Sequence, residues 1–169
     1  MVADERHKRF ERWVGEYGAM VSRIASTYEA RPALAEELVQ ESFMGLWRAL
    51  PGFRGEASAK TFVARITHNV CISHVRKAVK MKTGPLDEGM TDTGLRPDQL
   101  AEQSSERRAL LDAVRSLALQ NRQIVSLHLE GFSNREIAEA LGFSEGTIAV
   151  RLTRARGQLK KMIGEKHDR

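Results

Sequence analysis

Apolar residues recur at steps of three and four along almost the whole chain, and that rhythm breaks once, between Thr83 and Ser105. A repeat near 3.6 residues means helices with one buried face, so the chain is predicted to be all-α. Val14, Tyr17, Val21, Ile24 and Tyr28 mark a first helix, and Pro32 ends it or opens the next. Leu34, Leu38, Phe43, Leu46, Trp47 and Leu50 mark a second, stopped by Pro51-Gly52. Ser58 can cap a third, with Phe62, Val63, Ile66, Val70 and Ile72 as its apolar residues. Helical spacing resumes at Leu110, Leu111, Val114 and Leu117 and runs to Ile163. Only short runs, such as Ile124 to Leu129, have the look of a strand.

The interruption differs in chemistry. It holds Gly84, Pro85, Gly89, Gly94 and Pro97, and from Met81 to Glu106 there are six acidic residues against two basic ones. Such a segment cannot bury enough apolar surface to order itself. The 169 residues are therefore expected to form two small helical domains, 1–82 and 106–166, joined by a flexible acidic linker at 83–105. Domains of this size have thin cores and lean on partners.

Charge follows the same division. The chain carries 27 Lys and Arg against 22 Asp and Glu. Ala57 to Leu86 holds six basic residues and no acidic one, and Phe143 to Ile163 holds five against one. Two positive segments flank a negative connector, which favours a polyanion partner, although plain solvated faces fit the same charges. The single cysteine, Cys71, excludes an internal disulfide or a cysteine-built zinc site and reads as a small buried residue. There is no signal-type apolar segment and no run near the ~20 apolar residues of a membrane span. A cytoplasmic protein without membrane insertion is expected.

Enzyme chemistry finds no footing. Of five histidines (7, 68, 74, 128 and 167), His68 and His74 lie six apart on one helix and point to different faces, a poor metal pair. No Gly-rich phosphate loop is present, and no nucleophile has an evident base. No catalytic site, metal or cofactor is expected.

The C-terminal segment is more specific. Ser133-Asn-Arg-Glu136 has the form of a capping box, in which serine and glutamate satisfy each other's backbone amides. Ile137, Ala138 and Leu141 give a short apolar face, and Gly142 supplies a left-handed stop. Ser144 caps the next helix, with Glu145 at its positive end. Ile148, Leu152, Ala155, Leu159 and Ile163 then face inward. This is a helix-turn-helix, with Ala138 and Gly142 expected to be small because the two helices approach closely. Thr147, Arg151, Arg154 and Arg156 are read as the outward face of the second helix. Such a helix lies in the major groove, where arginine pairs bidentately with guanine and threonine meets a thymine methyl or a phosphate. Lys160 and Lys161, further along, suit backbone contacts.

Longer stretches resemble a known family. Ala35-Glu-Glu-Leu-Val-Gln-Glu-Ser-Phe43, Leu46-Trp-Arg-Ala-Leu50, Phe53-Arg-Gly-Glu-Ala57, Thr61-Phe62 and Ile66-Thr-His-Asn-Val70 look like region 2 of the extracytoplasmic-function (ECF) sigma factors. Asn121-Arg-Gln123, Glu130 to Gly142, Ser144-Glu-Gly-Thr-Ile148, Arg151-Leu152 and Arg154-Ala-Arg156 are similar to region 4. The resemblance covers about residues 10–165 in the family's order.

The resemblance implies roles. Glu36, Glu37, Gln40 and Glu41, with Leu38 in partial contact, would dock on the coiled coil of the beta-prime subunit of core RNA polymerase; a solvated acidic face fits the same residues. Phe53 to Ala59 would form a pocket for a base of the minus-ten promoter element, with Lys60, Arg65, Asn69, Arg76 and Lys77 holding phosphates and base edges. Glu145, Thr147, Arg151, Arg154 and Arg156 would meet the minus-thirty-five element. The acidic linker would lie in the polymerase's RNA-exit path, and an anti-sigma factor would hold the free protein. Three positions depart from the family. Phe62 replaces a frequent Trp, Ala118-Leu119-Gln120 a proline-containing turn, and Ala149 a frequent Lys. The other reading of the helix-turn-helix is a one-component transcription regulator that leaves core polymerase inactive. It does not account for the acidic helix or the acid-free basic segment.

Overall fold

The computed structural model describes residues 2–82 and 105–167. The expected linker, Ser105 apart, lies outside the described residues. Those residues form seven α-helices and one 3-10 turn, with no strand among them: α1 (Ala3–Ser26), α2 (Pro32–Ala49), the turn Leu50–Gly52, α3 (Ala59–Lys82), α4 (Ser105–Ser116), α5 (Leu119–Leu129), α6 (Asn134–Leu141) and α7 (Glu145–His167). They make two compact units, α1–α3 and α4–α7. The strand-like run Ile124–Leu129 is helical, part of α5.

In the first unit, α1 buries Trp13, Met20, Val21, Ile24 and Ala25, while Val14 and Tyr17, expected on that face, are half-buried at its edge. Proline opens α2 at its first turn, where its missing N–H costs nothing. Helices α2 and α3 cross closely at Gly45, whose added Cβ would lie 3.2 Å from Ile66 Cγ2. The buried face of α3 coincides with the apolar set read from the sequence only at Val63. Phe62, Ile66, Val70 and Ile72 are only half-buried, whereas Val63, Ala64, Thr67, His68 and Cys71 are fully buried. Thr67 and His68 are each hydrogen-bonded there through one side-chain atom, while His68 Nε2 has no partner among the described residues. The Thr67 hydroxyl donates to the Val63 carbonyl at 2.9 Å, and the Tyr28 hydroxyl lies 2.6 Å from His68 Nδ1. Burial pushes His68 down to about 3, so it is neutral. Burial, and the Glu41 charge beside it, push the Cys71 thiol up to about 12, which makes it unreactive.

A carboxylate closes the joint between these helices. Glu29, 8% exposed, accepts from Arg31 Nε at 2.9 Å, from Arg31 N–H at 3.0 Å and from His74 Nε2 at 2.8 Å. Burial would raise its pKa, but these bonds and the Arg31 charge outweigh that and hold it at about 2.

In the second unit, Ala113, Val114, Leu117, Ile124, Val125, Leu127, Phe132, Ile137 and Ile148 share one core. The α4–α5 junction forms without the family's proline. Ala118 is extended, and the Arg122 guanidinium donates to the carbonyls of Arg115 and Leu117 at 2.5 and 3.2 Å. That satisfies carbonyls a helix end leaves open.

Candidate nucleic-acid interface

The helix-turn-helix is α6, the turn Gly142–Ser144, and α7. Its entry is the expected capping box: Glu136 N–H donates to Ser133 Oγ at 3.1 Å, and Ser133 N–H to Glu136 Oε2 at 2.8 Å. Gly142 ends α6 at φ 76°. Its smallness serves that backbone conformation and not close helix approach, because an added Cβ would meet nothing within 4 Å. The Ser144 hydroxyl accepts the Thr147 N–H at 3.1 Å and also bonds its hydroxyl at 2.7 Å. Ile148, Leu152, Ala155 and Leu159 are buried as predicted, with Ile163 half-buried.

The structure sorts the expected contact residues into two groups. Thr147, Val150, Arg151, Arg154 and Gln158 line one shallow groove with Asn121 of α5. Arg156 does not join them. It lies five residues past Arg151, about 140° round the helix at 3.6 residues per turn, and donates to His128 Nε2 at 2.7 Å. Burial, then this guanidinium, keeps His128 below its usual range. Arg156 thus occupies the opposite flank of the buried stripe, and the single outward face read from the sequence is corrected. Glu145 opens α7 as an exposed residue. Ser144, expected only as a cap, also lines the groove, and four further lining residues were not among the expected contacts: Asn121, Gly146, Val150, which is 52% exposed, and Gln158. Their helical register was the one signal available.

In the first unit, Glu36, Glu37, Gln40 and Glu41 are exposed on α2, in two pairs one turn apart. Leu38 is not with them. It is 2% exposed and packs into the core, so the expected partial contact with a partner is withdrawn. Phe43 and Trp47, read from the sequence as apolar residues of this helix, are half-buried and line an apolar hollow with Phe10 and Met44 beside the acidic face. The Arg6 guanidinium stacks 4.0 Å from the Trp47 ring centroid and donates to the Trp47 carbonyl.

On α3, Arg65, Asn69 and Arg76 are exposed and fall on one stripe, four and eleven residues apart. Lys77 stands off it, in a groove shared with Asn69, His74 and Glu41 of α2. Lys60, half-buried in the first turn, lies about 140° round from Arg65. The loop before α3 turns at Gly55, φ 77°. Beneath it Phe53 meets Trp13 and Phe62 edge-on, with ring centroids 5.0 and 4.9 Å apart. This aromatic floor fixes where the loop starts, and Ser58 caps the helix after it through the Thr61 N–H at 3.1 Å. Among the described residues no His, Cys, Asp or Glu cluster could hold a metal, and no helix is long and apolar enough to cross a membrane.

Comparison with known proteins matches both units. The Sigma-70 region 2 family model covers residues 5–81 and the Sigma-70, region 4 model residues 107–159. The chain is similar to the ECF RNA polymerase sigma factor SigM of Mycobacterium tuberculosis, with 26% identity over 96% of this chain and 81% of that one. It is 31% identical to the ECF RNA polymerase sigma factor SigX of Bacillus subtilis over 75% of this chain and 69% of that one. Its fold matches the sigma factor RpoE of Bartonella quintana, solved in complex with the anti-sigma factor NepR, at a TM-score of 0.73 and 25% identity over 93% of this chain and 98% of the other. Both units are thus matched, in order, by the two sigma-70 region models, and the chain belongs to the ECF sigma factors of the sigma-70 family.

Proposed function

We propose that the chain binds core RNA polymerase through the outward face of α2 and directs it to promoters bound at two places. The observation that carries this is the pairing, in one chain, of a region 2 unit with a region 4 unit. Glu36, Glu37, Gln40 and Glu41 offer carboxylates to a basic coiled coil of the beta-prime subunit, and the hollow between Phe10, Met44 and Trp47 accepts an apolar side chain from it. Residues 1–82 then engage the minus-ten element. The loop over the aromatic floor receives an unstacked base, whose extraction costs a few kcal/mol. Arg65, Asn69 and Arg76 hold the strand, with Lys60 and Lys77 flanking. Residues 106–166 engage the minus-thirty-five element through Thr147, Arg151 and Arg154, with Arg156 and Glu145 reaching backbone beside the groove. Residues 83–105 are the acidic connector.

The protein acts as a cytoplasmic initiation factor rather than an enzyme, and an anti-sigma factor controls it, as NepR accompanies RpoE. Run-off transcription with core polymerase over a promoter library tests the proposal. The chain should restore start-site choice, and reversing Glu36, Glu37 and Glu41 to Lys should abolish association with core. Core binding retained by the triple reversal would refute the docking face. Duplex binding without any activation of core would refute the function.

A further inference from the structure

Among the described residues, Arg151 is the one groove arginine held by residues outside α7. Its Nη1 donates to the side-chain oxygen of Gln120, near the start of α5. Its guanidinium carbon lies 5.4 Å from the ring centroid of Phe143, in the turn between α6 and α7, within the range of a cation–π contact. Arg154, further along the same groove, is exposed and has no such holder among the described residues.

We propose that Gln120 and Phe143 clamp Arg151 in the pose that reads a base edge in the upstream promoter element, and so act as positioning residues for promoter specificity. This rests on the assignment of Arg151 to that element. A free arginine must surrender the rotamer freedom of a long side chain when it docks, whereas a held one has already lost it on folding. The clamp leaves what recognition needs. Gln120 takes one of five N–H donors, and the Nε–Nη2 edge keeps the two parallel donors that match guanine O6 and N7. A neutral amide also orients the guanidinium without cancelling its charge. A carboxylate at that position would form an ion pair and weaken the field towards DNA. Arg154, unheld, suits a phosphate, for which a flexible point charge suffices. The clamp thus separates a base-reading arginine from a backbone-binding one on the same face.

The test is transcription by the reconstituted holoenzyme over a library of upstream elements, with Gln120→Ala, Phe143→Leu and Arg151→Ala, singly and combined. Arg151→Ala should relax preference at one base pair by about 5- to 150-fold, the ~1–3 kcal/mol of a base-reading arginine. Gln120→Ala and Phe143→Leu should relax preference at that same base pair by about two- to tenfold, the ~0.5–1.5 kcal/mol of ordering one rotamer-rich side chain. Neither should have a further effect once Arg151 is Ala. Gln120→Glu, which keeps the acceptor, should restore the preference while lowering overall upstream affinity. Single substitutions that leave the preference intact, or that act equally in the Arg151→Ala background, overturn the clamp while the role of Arg151 stands. An unchanged preference in Arg151→Ala overturns the base-reading role and the clamp with it.

Discussion

Glu29→Gln removes one charge from the joint where α1, α2 and α3 meet, and its cost can be worked from the geometry. The carboxylate is 8% exposed and takes bonds from the Arg31 side chain, the Arg31 backbone and His74. Together these lower its pKa from 4.5 to about 2. The folded value lies below the unfolded one, so the stabilisation is complete above pH 4.5 and is lost as the pH falls from 4.5 towards 2. At ~1.4 kcal/mol for each tenfold change in proton affinity, the ionised form is worth about 3 kcal/mol at pH 7 and roughly half that at pH 3. The substituted amide resembles the protonated acid at every pH. Wild type should therefore exceed Glu29→Gln by about 3 kcal/mol at neutral pH, and the gap should close in acid. Both tryptophans, Trp13 and Trp47, belong to the first unit, so urea titrations followed by tryptophan fluorescence report on that unit alone. Two stability curves running parallel from pH 7 to pH 3 would refute the reasoning, because they would show Glu29 to have the same proton affinity folded and unfolded.

Leu38→Ala should cost ~2–5 kcal/mol of first-unit stability, as a buried truncation does, while folded molecules still bind core polymerase. Normal stability with lost binding would return Leu38 to the docking surface. Arg156→Ala should leave base preference at the upstream element unchanged in the same promoter library that detects Arg151→Ala. A relaxed base there would put Arg156 back in the groove. Gly142→Ala should cost ~1–2 kcal/mol for its left-handed backbone alone, whereas Gly15→Ala, in an open helical position with nothing within 4 Å, should stabilise by up to ~1 kcal/mol. Thermal melts that rank the two the other way round would show that neighbours, and not backbone conformation, set the cost.

Local signals were legible because they act over a few residues. The Ser133–Glu136 box, the Gly142 stop, the Ser144 and Ser58 caps and the Pro32 start all bond or bend within one turn of chain, so spacing suffices to find them. The face of a long helix was less legible where burial and polarity part company. Thr67, His68 and Cys71 are buried on α3, and a hydroxyl that bonds its own helix looks in sequence like a surface residue. Leu38 misled in the other direction, lying among exposed glutamates along the chain while its side chain faced inward.

By itself the sequence determined the helical class, the caps and stops at Ser58, Pro51-Gly52, Ser133, Gly142 and Ser144, the division into two helical units and the family, since all of these follow from periodicity, caps and motif order. Tertiary packing alone decided which side of each helix was left to the solvent. Arg151 and Arg154 face one groove and Arg156 the opposite flank because the stripe Ile148–Leu152–Ala155–Leu159 had to turn towards α4–α6. Gln120 meets Arg151 across 31 residues of chain for the same reason. Distance along a chain carries no information about such a meeting until apolar burial has fixed how each helix is rotated.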